Sequence, residues 1–373
     1  MGKSVAGRKS SPGMGMSRIN RQEQLDYTTL SSLQRHYDNV PRQLAFRART
    51  RAEWAAWHEA LHNKLVTLLG GFPLESPSLD EVRLETRQEA DYRLEKVAFQ
   101  SEPGLYTPCY VLVPRHVEPP YRPVIALHGH GTGGAAHTVG LIVDERTRTE
   151  EKAHILAHNY DYGRQLARRG FMVFVPEQRG FGERMETEPE MIHGDSMWQS
   201  SCRALSLIAM LLGKTAIGLR VWDVMRTVDY IRSRSEPVVA GIGCLGLSGG
   251  GTTTLFATAL EARITVAVVS GYCNTFRDSI MSTVHCECNY IPGILKYAEM
   301  ADIAALIAPR PLLVESGIED PIFPVEATES AYRELESVYK LLEVPERLDK
   351  DIFAGGHRFS GRRAFDWLRR WLQ

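Results

Sequence analysis

The stretch Ile242-Gly243-Cys244-Leu245-Gly246-Leu247-Ser248-Gly249-Gly250 decides how the rest of the chain is read. Residues 242–247 form a short apolar run suited to a buried strand, and the residues from Gly250 to Leu260 suit a helix. Between them stands G-x-S-x-G, the pattern of a nucleophile elbow, whose structural context is a strand running directly into a helix. The turn is too tight for side chains on its flanks, so glycines are required there. It leaves the serine hydroxyl exposed at the strand end, beside a helix N-terminus that favours negative charge. A serine hydroxyl is a weak nucleophile at neutral pH and needs an adjacent base.

Outward from this corner the chain alternates strands with helices. Val124–Leu127, Phe171–Val175, Ile264–Val269, Pro311–Val314 and Asp351–Phe353 read as strands. Tyr162–Arg169 (stopped by Gly170), Ala216–Arg234, Val325–Leu342 and Arg362–Leu372 read as helices. Continuous apolar strands separated by helices predict an α/β fold with a mostly parallel sheet covered on both faces. In such sheets ligands bind outside the strand C-terminal ends. Before this region, Val82–Val113 carries short β-like runs broken at Pro103-Gly104, as expected of antiparallel strands at a sheet edge. Residues 21–80 read as an N-terminal helical extension. Its best segment opens with Thr50 and Glu53 as a capping box, continues with Trp54, Trp57, Leu61, Leu65 and Leu68 at helical spacing, and stops at Gly70. Met1–Asn20, basic and rich in Gly and Ser, is expected to be a disordered tail. Residues 81–373 form the expected catalytic domain. Its two arrhythmic stretches, near 185–214 and 272–301, are expected to wall a pocket.

The partners that Ser248 needs are sought at other strand ends. His357 follows the last predicted strand on the glycine-rich stretch Phe353-Ala354-Gly355-Gly356, from which it can reach over the elbow as the base. The base needs a carboxylate to fix its tautomer. Asp320, in Gly317-Ile318-Glu319-Asp320-Pro321, is the first choice, with Glu319 and Glu315 as competitors. An oxyanion needs preorganised donors. The backbone N–H groups of Gly249 and His130 are expected to supply them, with Gly131 as the alternative to His130, on the loop His128-Gly129-His130-Gly131. The same two histidines could instead hold a metal, although the glycine-rich texture suits an oxyanion loop. His285-Cys286-Glu287-Cys288 lacks the usual zinc spacing and a visible fourth partner, so it is expected to be a structural loop. Arg179, in Glu177-Gln178-Arg179-Gly180-Phe181-Gly182, is expected either in a buried ion pair or facing an anionic substrate. Arg179, Trp198, Phe276 and Tyr290 are the candidate pocket residues. No metal or other cofactor is expected.

Composition limits the remaining choices. The 373 residues carry 44 Lys and Arg against 45 Asp and Glu, for a net charge of −1. No cationic excess is present to neutralise a nucleic acid backbone. No apolar run is long enough to span a bilayer, and the N-terminus lacks the apolar stretch of a signal peptide, so a cytoplasmic location and no membrane partner are expected. The six cysteines lack a secreted-scaffold spacing, and free thiols are expected. Self-association into a homo-oligomer is left open.

With these motifs in hand, the chain from about residue 80 to its end resembles the α/β-hydrolase superfamily. Within it, the bacterial dienelactone hydrolase-like and acetyl xylan esterase-like branch is the most similar. The resemblance rests on His128–Gly131, Gln178–Gly182, Gly246–Gly250, Gly317–Pro321 and Gly356-His357. It implies the α/β-hydrolase fold, a triad in the order Ser248, Asp320, His357, and hydrolysis of a carboxylic ester through an acyl-enzyme. Dienelactone hydrolases proper use a cysteine where this chain has Ser248, which favours ordinary ester hydrolysis. The expected substrate is a small-molecule or carbohydrate ester with a short, acetyl-type acyl group. A peptidase of the prolyl-oligopeptidase type is a rival, but no blade-length repeat accompanies it here. A non-catalytic binding protein on the same fold is a second rival, disfavoured by the intact set of Ser248, His357 and Asp320.

Overall fold

Val124 and Ala126 face one side of their strand and Ile125 and Leu127 the other, and all four are fully buried. That double burial, repeated along the neighbouring strands, makes the central sheet the middle layer of three. The computed structural model describes residues 27–131, 133–195 and 198–373. Its strands are β1 (Val82–Gln88), β2 (Tyr92–Glu102), β3 (Leu105–Pro114), β4 (Arg122–Leu127), β5 (Phe171–Pro176), β6 (Ile242–Leu247), β7 (Ile264–Ser270), β8 (Leu312–Gly317) and β9 (Leu348–Phe353). They pair in the order β1-β2-β3-β5-β4-β6-β7-β8-β9. The first three are antiparallel, β3 meets β5 antiparallel, and every pairing from β5 onward is parallel. This is the mostly parallel α/β sheet expected from the alternating pattern, and the α/β-hydrolase architecture that the resemblance implied.

The order sets where chemistry can occur. β4 lies between β5 and β6, so the chain leaves β4 toward one side of the sheet and later returns on the other. A topological switch point of this kind opens a crevice at the strand C-terminal ends. The loops after β4 and β6, and then those after β7, β8 and β9, lie side by side along that edge.

Helices that were not expected formed at Gly134–Thr138 and Arg148–Ala157 in the β4–β5 connection, and at Cys202–Leu211 and Met300–Ala305 in or beside the two arrhythmic stretches. β8 and β9 are longer than their apolar runs, because parallel pairing continues from Leu312↔Leu348 to Gly317↔Phe353. At the N-terminal end the expected tail, Met1–Asn20, lies outside the described residues. Leu30–Asn39 is a helix within a unit that ends at Val40, and the second compact unit runs from Pro41 to Gln373. In this second unit the helix Arg51–Leu68 buries Trp57, Leu61 and Leu65. Its cap differs in one bond from the expected box. The Thr50 hydroxyl accepts the Glu53 N–H, but the Glu53 carboxylate takes the Arg49 N–H, at 2.7 Å. Among the described residues, no single helix is long and apolar enough to cross a membrane.

The β6 corner is built on close backbone contact. A Cβ on Gly246 would stand 2.4 Å from the Gly250 backbone, and a Cβ on Gly250 would stand 1.9 Å from the Leu127 carbonyl oxygen. These glycines let the helix Gly249–Leu260 begin directly against β4. Gly250→Ala is therefore expected to destabilise the fold by more than about 3 kcal/mol, since the obstructing atom is backbone. Gly104→Ala, in open space but at φ +76°, should cost only about 1–2 kcal/mol. Chemical denaturation of both variants checks this, and equal losses would contradict it.

Candidate active site

Ser248 is the single residue between β6 and the helix Gly249–Leu260, and it adopts φ 58°, ψ −119°. A side chain there costs on the order of 1–3 kcal/mol, and such strain persists only where the surroundings enforce it. The enforcement is visible. The Ser248 N–H donates to the Ser270 carbonyl at 3.0 Å, and the Thr252 N–H donates to the Ser248 carbonyl at 2.8 Å. The side chain is left half-buried at the sheet edge.

His357 approaches the same point from the loop after β9. Its ring packs against Gly271, where a Cβ would lie 3.1 Å from His357 Cε1, and Gly271 directly follows the Ser270 that anchors Ser248. His357 Nδ1 lies 2.7 Å from Asp320 Oδ2. The other oxygen of Asp320 accepts the N–H groups of Ile322 and Phe323 at 2.9 and 3.0 Å, so the buried carboxylate is fully engaged. The loops after β8 and β9 are tied by Ile318 N–H to Phe353 O and by Glu319 N–H to Gly355 O, each 2.9 Å. Gly317 permits this approach, since a Cβ there would meet the Gly356 carbonyl at 2.4 Å. Phe323 stacks on the His357 ring at 5.7 Å. His357 Nε2 is buried and has no hydrogen-bond partner among the described residues.

The competing carboxylates are elsewhere. Glu319 is exposed. Glu315 is buried beneath the site, accepting the Ser360 and Gly361 N–H groups at 3.4 and 3.2 Å. Burial raises its pKa from 4.5 to about 7, with the nearby Asp351 adding to the shift.

The loop after β4 sends its two histidines in different directions. His128 is fully buried, with Nδ1 on the Gly129 carbonyl at 2.8 Å and Nε2 facing the Gln178 N–H and Glu177 Oε1, each at 2.9 Å. It is a bracket between the β4 and β5 loops. His130 lies over the elbow, where a Cβ on Gly249 would be 2.7 Å from its Nδ1. Gly131 continues the loop at φ +135°. Gln178 extends the bracket by accepting from the Thr253 hydroxyl at 2.6 Å.

One pocket expectation is corrected, and the two readings of Arg179 are separated in favour of the buried ion pair. Arg179 does not face a substrate. Its guanidinium grips Asp223 with two bonds of 2.8 and 2.9 Å and reaches Glu102 at 2.5 Å, with only 8% of the residue exposed. Burial opposes ionisation of Asp223, yet Arg184 and Arg179 together hold its pKa below the ordinary value. Phe276 is also withdrawn from any pocket, being 2% exposed within the main core, with its N–H on the Glu299 carboxylate. Trp198 is exposed and meets the His154 ring at 5.7 Å. Tyr290 is partly exposed, with its hydroxyl donating to the Ile280 carbonyl.

The sequence reading missed several neighbours. The Tyr160 hydroxyl comes within 3.0 Å of where a Gly129 Cβ would stand, and the Ser248 Cβ within 3.3 Å. His285 packs on Phe323 at 5.4 Å, and burial lowers its pKa to about 4, with His130 and His357 adding to the fall. Cys286 and Cys288 do have partners. Cys202, at the start of the helix Cys202–Leu211, lies 3.0 Å from the Cys286 sulfur, and His130 Nε2 lies 3.4 Å from the Cys288 sulfur. These partners are 84 and 158 residues away in the chain, so local spacing carried no sign of them.

The model of the Abhydrolase family matches residues 18–349. A Bacillus subtilis (strain 168) protein named hydrolase YtaP is 27% identical over 282 residues, which is 74% of this chain and 86% of that one. Among solved structures, one named as an acetyl xylan esterase from Bacteroides fragilis NCTC 9343 superposes with a TM-score of 0.69 at 16% identity, covering 89% of this chain and 84% of the other. A glucuronoyl esterase from Solibacter usitatus gives 0.65 at 15% identity, covering 90% and 100%.

Glu315 yields a test of the buried electrostatics. Because its folded pKa is raised, the unfolded chain releases this proton first, and stability falls as pH rises from 4.5 toward about 7. The loss saturates on the order of 3 kcal/mol. Glu315→Gln should remove that component. Relative to wild type, its denaturation free energy should gain at pH 8 and change little near pH 4.5. A difference between the two proteins that does not vary with pH would contradict the placement.

Proposed function

The chain belongs to the Abhydrolase family, and on that footing we propose that it is a serine esterase in which Ser248 attacks the ester carbonyl. The observation that carries this reading is the strained backbone of Ser248, anchored to Ser270 while the Asp320-bonded His357 packs on the adjacent Gly271. Strain of this kind has no packing benefit, whereas it does present a hydroxyl at a strand end.

In the mechanism that this arrangement supports, His357 Nε2 takes the Ser248 proton as the hydroxyl attacks, and Asp320 stabilises the imidazolium through the 2.7 Å contact at Nδ1. The Gly249 and His130 N–H groups are assigned as donors to the oxyanion, with Gly131 as the alternative to His130. Collapse of the tetrahedral intermediate expels the alcohol, protonated by His357, and leaves an acyl group on Ser248. Water, activated by the same histidine, then releases the acid.

A short acyl group is the preferred substrate feature. Support comes from Tyr160, His285 and Phe323, whose rings crowd the triad, and not from Phe276, which packs in the core. The alcohol is proposed to be a carbohydrate. The names of the structural neighbours set two arms of a substrate panel, acetylated sugars and alkyl esters of glucuronate.

Ser248→Ala should lower kcat by roughly four orders of magnitude, and Asp320→Asn by about 10³–10⁴, with the fold retained. Steady-state kinetics with matched circular dichroism checks both, and a Ser248→Ala variant keeping a tenth of the activity would remove Ser248 from its role. Acetyl esters should exceed octanoyl esters in kcat/KM through a graded decline, because each methylene in a closed pocket is worth only about 1–3 kcal/mol. An optimum at long chains would contradict the crowded acyl side while leaving the triad intact.

A further inference from the structure

Behind the loop that carries His130, the chain gathers a second set of reactive side chains. The ligand-type atoms of His130, Cys202, Cys286 and Cys288 all lie within 4.8 Å of one another. They come from three separate parts of the fold: the loop after β4, the start of the helix Cys202–Leu211, and the insertion after β7. Cys202 and Cys288 are buried, and all six cysteines of the chain are free thiols. Tetrahedral Zn²⁺ with bonds of about 2.3 Å to sulfur and about 2.0–2.1 Å to imidazole nitrogen needs ligand atoms roughly 3.5–3.8 Å apart. The Cys288–His130 contact is 3.4 Å. The Cys202–Cys286 contact, at 3.0 Å, needs to open by less than about 1 Å.

An independent observation is the charge of Arg220. This residue is 2% exposed, and none of its contacts among the described residues is a carboxylate. Its guanidinium donates to the Arg179 carbonyl at 2.8 and 3.2 Å, lies over the Phe181 ring at 4.7 Å, and donates to the Cys202 sulfur at 3.1 Å. A buried cation needs an anion. Three neutral thiols do not provide one. Three thiolates and a neutral imidazole around Zn²⁺ carry a net charge of −1, which Arg220 neutralises. Phe181 closes the site, edge-on to His130 at 5.0 Å, and the approach of the Gly180 backbone to Cys202 leaves only 3.1 Å for a Cβ.

We propose that His130 Nε2 and the sulfurs of Cys202, Cys286 and Cys288 bind one Zn²⁺ ion in a closed, structural site. Four protein ligands leave no open position for substrate, so the ion takes no part in ester cleavage. Binding exchanges three thiol protons for three Zn–S bonds and involves no change of oxidation state. The ion pins the imidazole of His130, and with it the loop that lies over Gly249, to the helix at Cys202 and to the insertion at residues 286–288. The proposed site departs from the expectation of a metal-free loop. The C-x-C pair is half of a ligand set, and the other half is contributed by the fold.

The test is the metal content of the full-length, untagged protein purified in reducing buffer, measured by elemental analysis. Close to one zinc per chain is expected, together with a thiolate-to-metal charge-transfer band and tetrahedral d–d absorption after exchange with Co²⁺. Cys286→Ser should lose the metal, while Ser248→Ala and Cys109→Ser should keep it, which separates the metal site from the proposed esterase role. Less than about a tenth of an equivalent of zinc in wild-type protein, without a cobalt–thiolate band, would overturn the proposal. So would a Cys202–Cys286 disulfide found by peptide mapping after thiol alkylation, or zinc retained in both Cys286→Ser and Cys288→Ser. Because wild-type metal content is itself diagnostic, a variant that fails to fold does not rescue the idea.

Discussion

The carbonyl oxygen of Leu127 occupies the place where any side chain on residue 250 would have to go, and much of the molecule is arranged around that contact. It forces the end of β4 and the start of the helix Gly249–Leu260 to meet backbone to backbone. Once they do, the chain has one residue in which to turn from β6 into the helix, and Ser248 takes the strained conformation that this demands. The strain is held by the flanking pairings. β7 supplies the Ser270 carbonyl for the Ser248 N–H, and β8 holds Gly271 through the Glu315 carbonyl. The candidate site is thus a consequence of strand order and close packing before it is a set of side chains.

Charge is handled locally around this frame. Asp223 meets Arg179 and Arg184 within 2.9 Å, and Glu95 meets Arg234 at the same distance, and the side chains of all five are almost fully enclosed. Histidines away from such partners lose charge instead. Burial takes both His154 and His285 down to about 4, so neither is cationic at neutral pH beside the site. Asp320 and Glu315 also differ in their hydrogen-bond partners. Asp320 receives two backbone N–H groups and His357, while Glu315 receives two longer backbone bonds and is pushed toward its neutral form by burial, against the opposing contact with Ser270. Three acidic residues within six positions of one another therefore stand in different surroundings, Glu319 exposed, Asp320 bonded to His357 and Glu315 buried.

The sheet from β4 to β8 was legible because strands buried on both faces show as continuous apolar runs, and the elbow because glycine spacing reports backbone proximity directly. Ser248, Asp320 and His357 were legible as candidates because each follows a strand that must end at the same edge. Side-chain direction was not. Phe276 looked like a pocket residue from its place in an insertion, yet the insertion folds its apolar side inward. Arg179 had two readings that only the position of Asp223, 44 residues later, could separate. The partners of Cys286 and Cys288 stayed hidden for the same reason: Cys202 and His130 are neighbours only after the sheet has formed. Periodicity and turn chemistry are local, while ion pairs and ligand sets are made by topology.

The central claim is that the Ser248 hydroxyl becomes acylated. Its most direct measurement is acid-quenched mass spectrometry of the protein mixed with a slowly released activated acetyl ester, followed by peptide mapping. The esterase mechanism predicts a single acetyl group on the peptide containing Ser248, formed before steady state, lost in Ser248→Ala, and formed far more slowly in Asp320→Asn. Turnover of the ester with no acyl-enzyme detectable at any time, or an acetyl group on another residue that turns over at the catalytic rate, would contradict it.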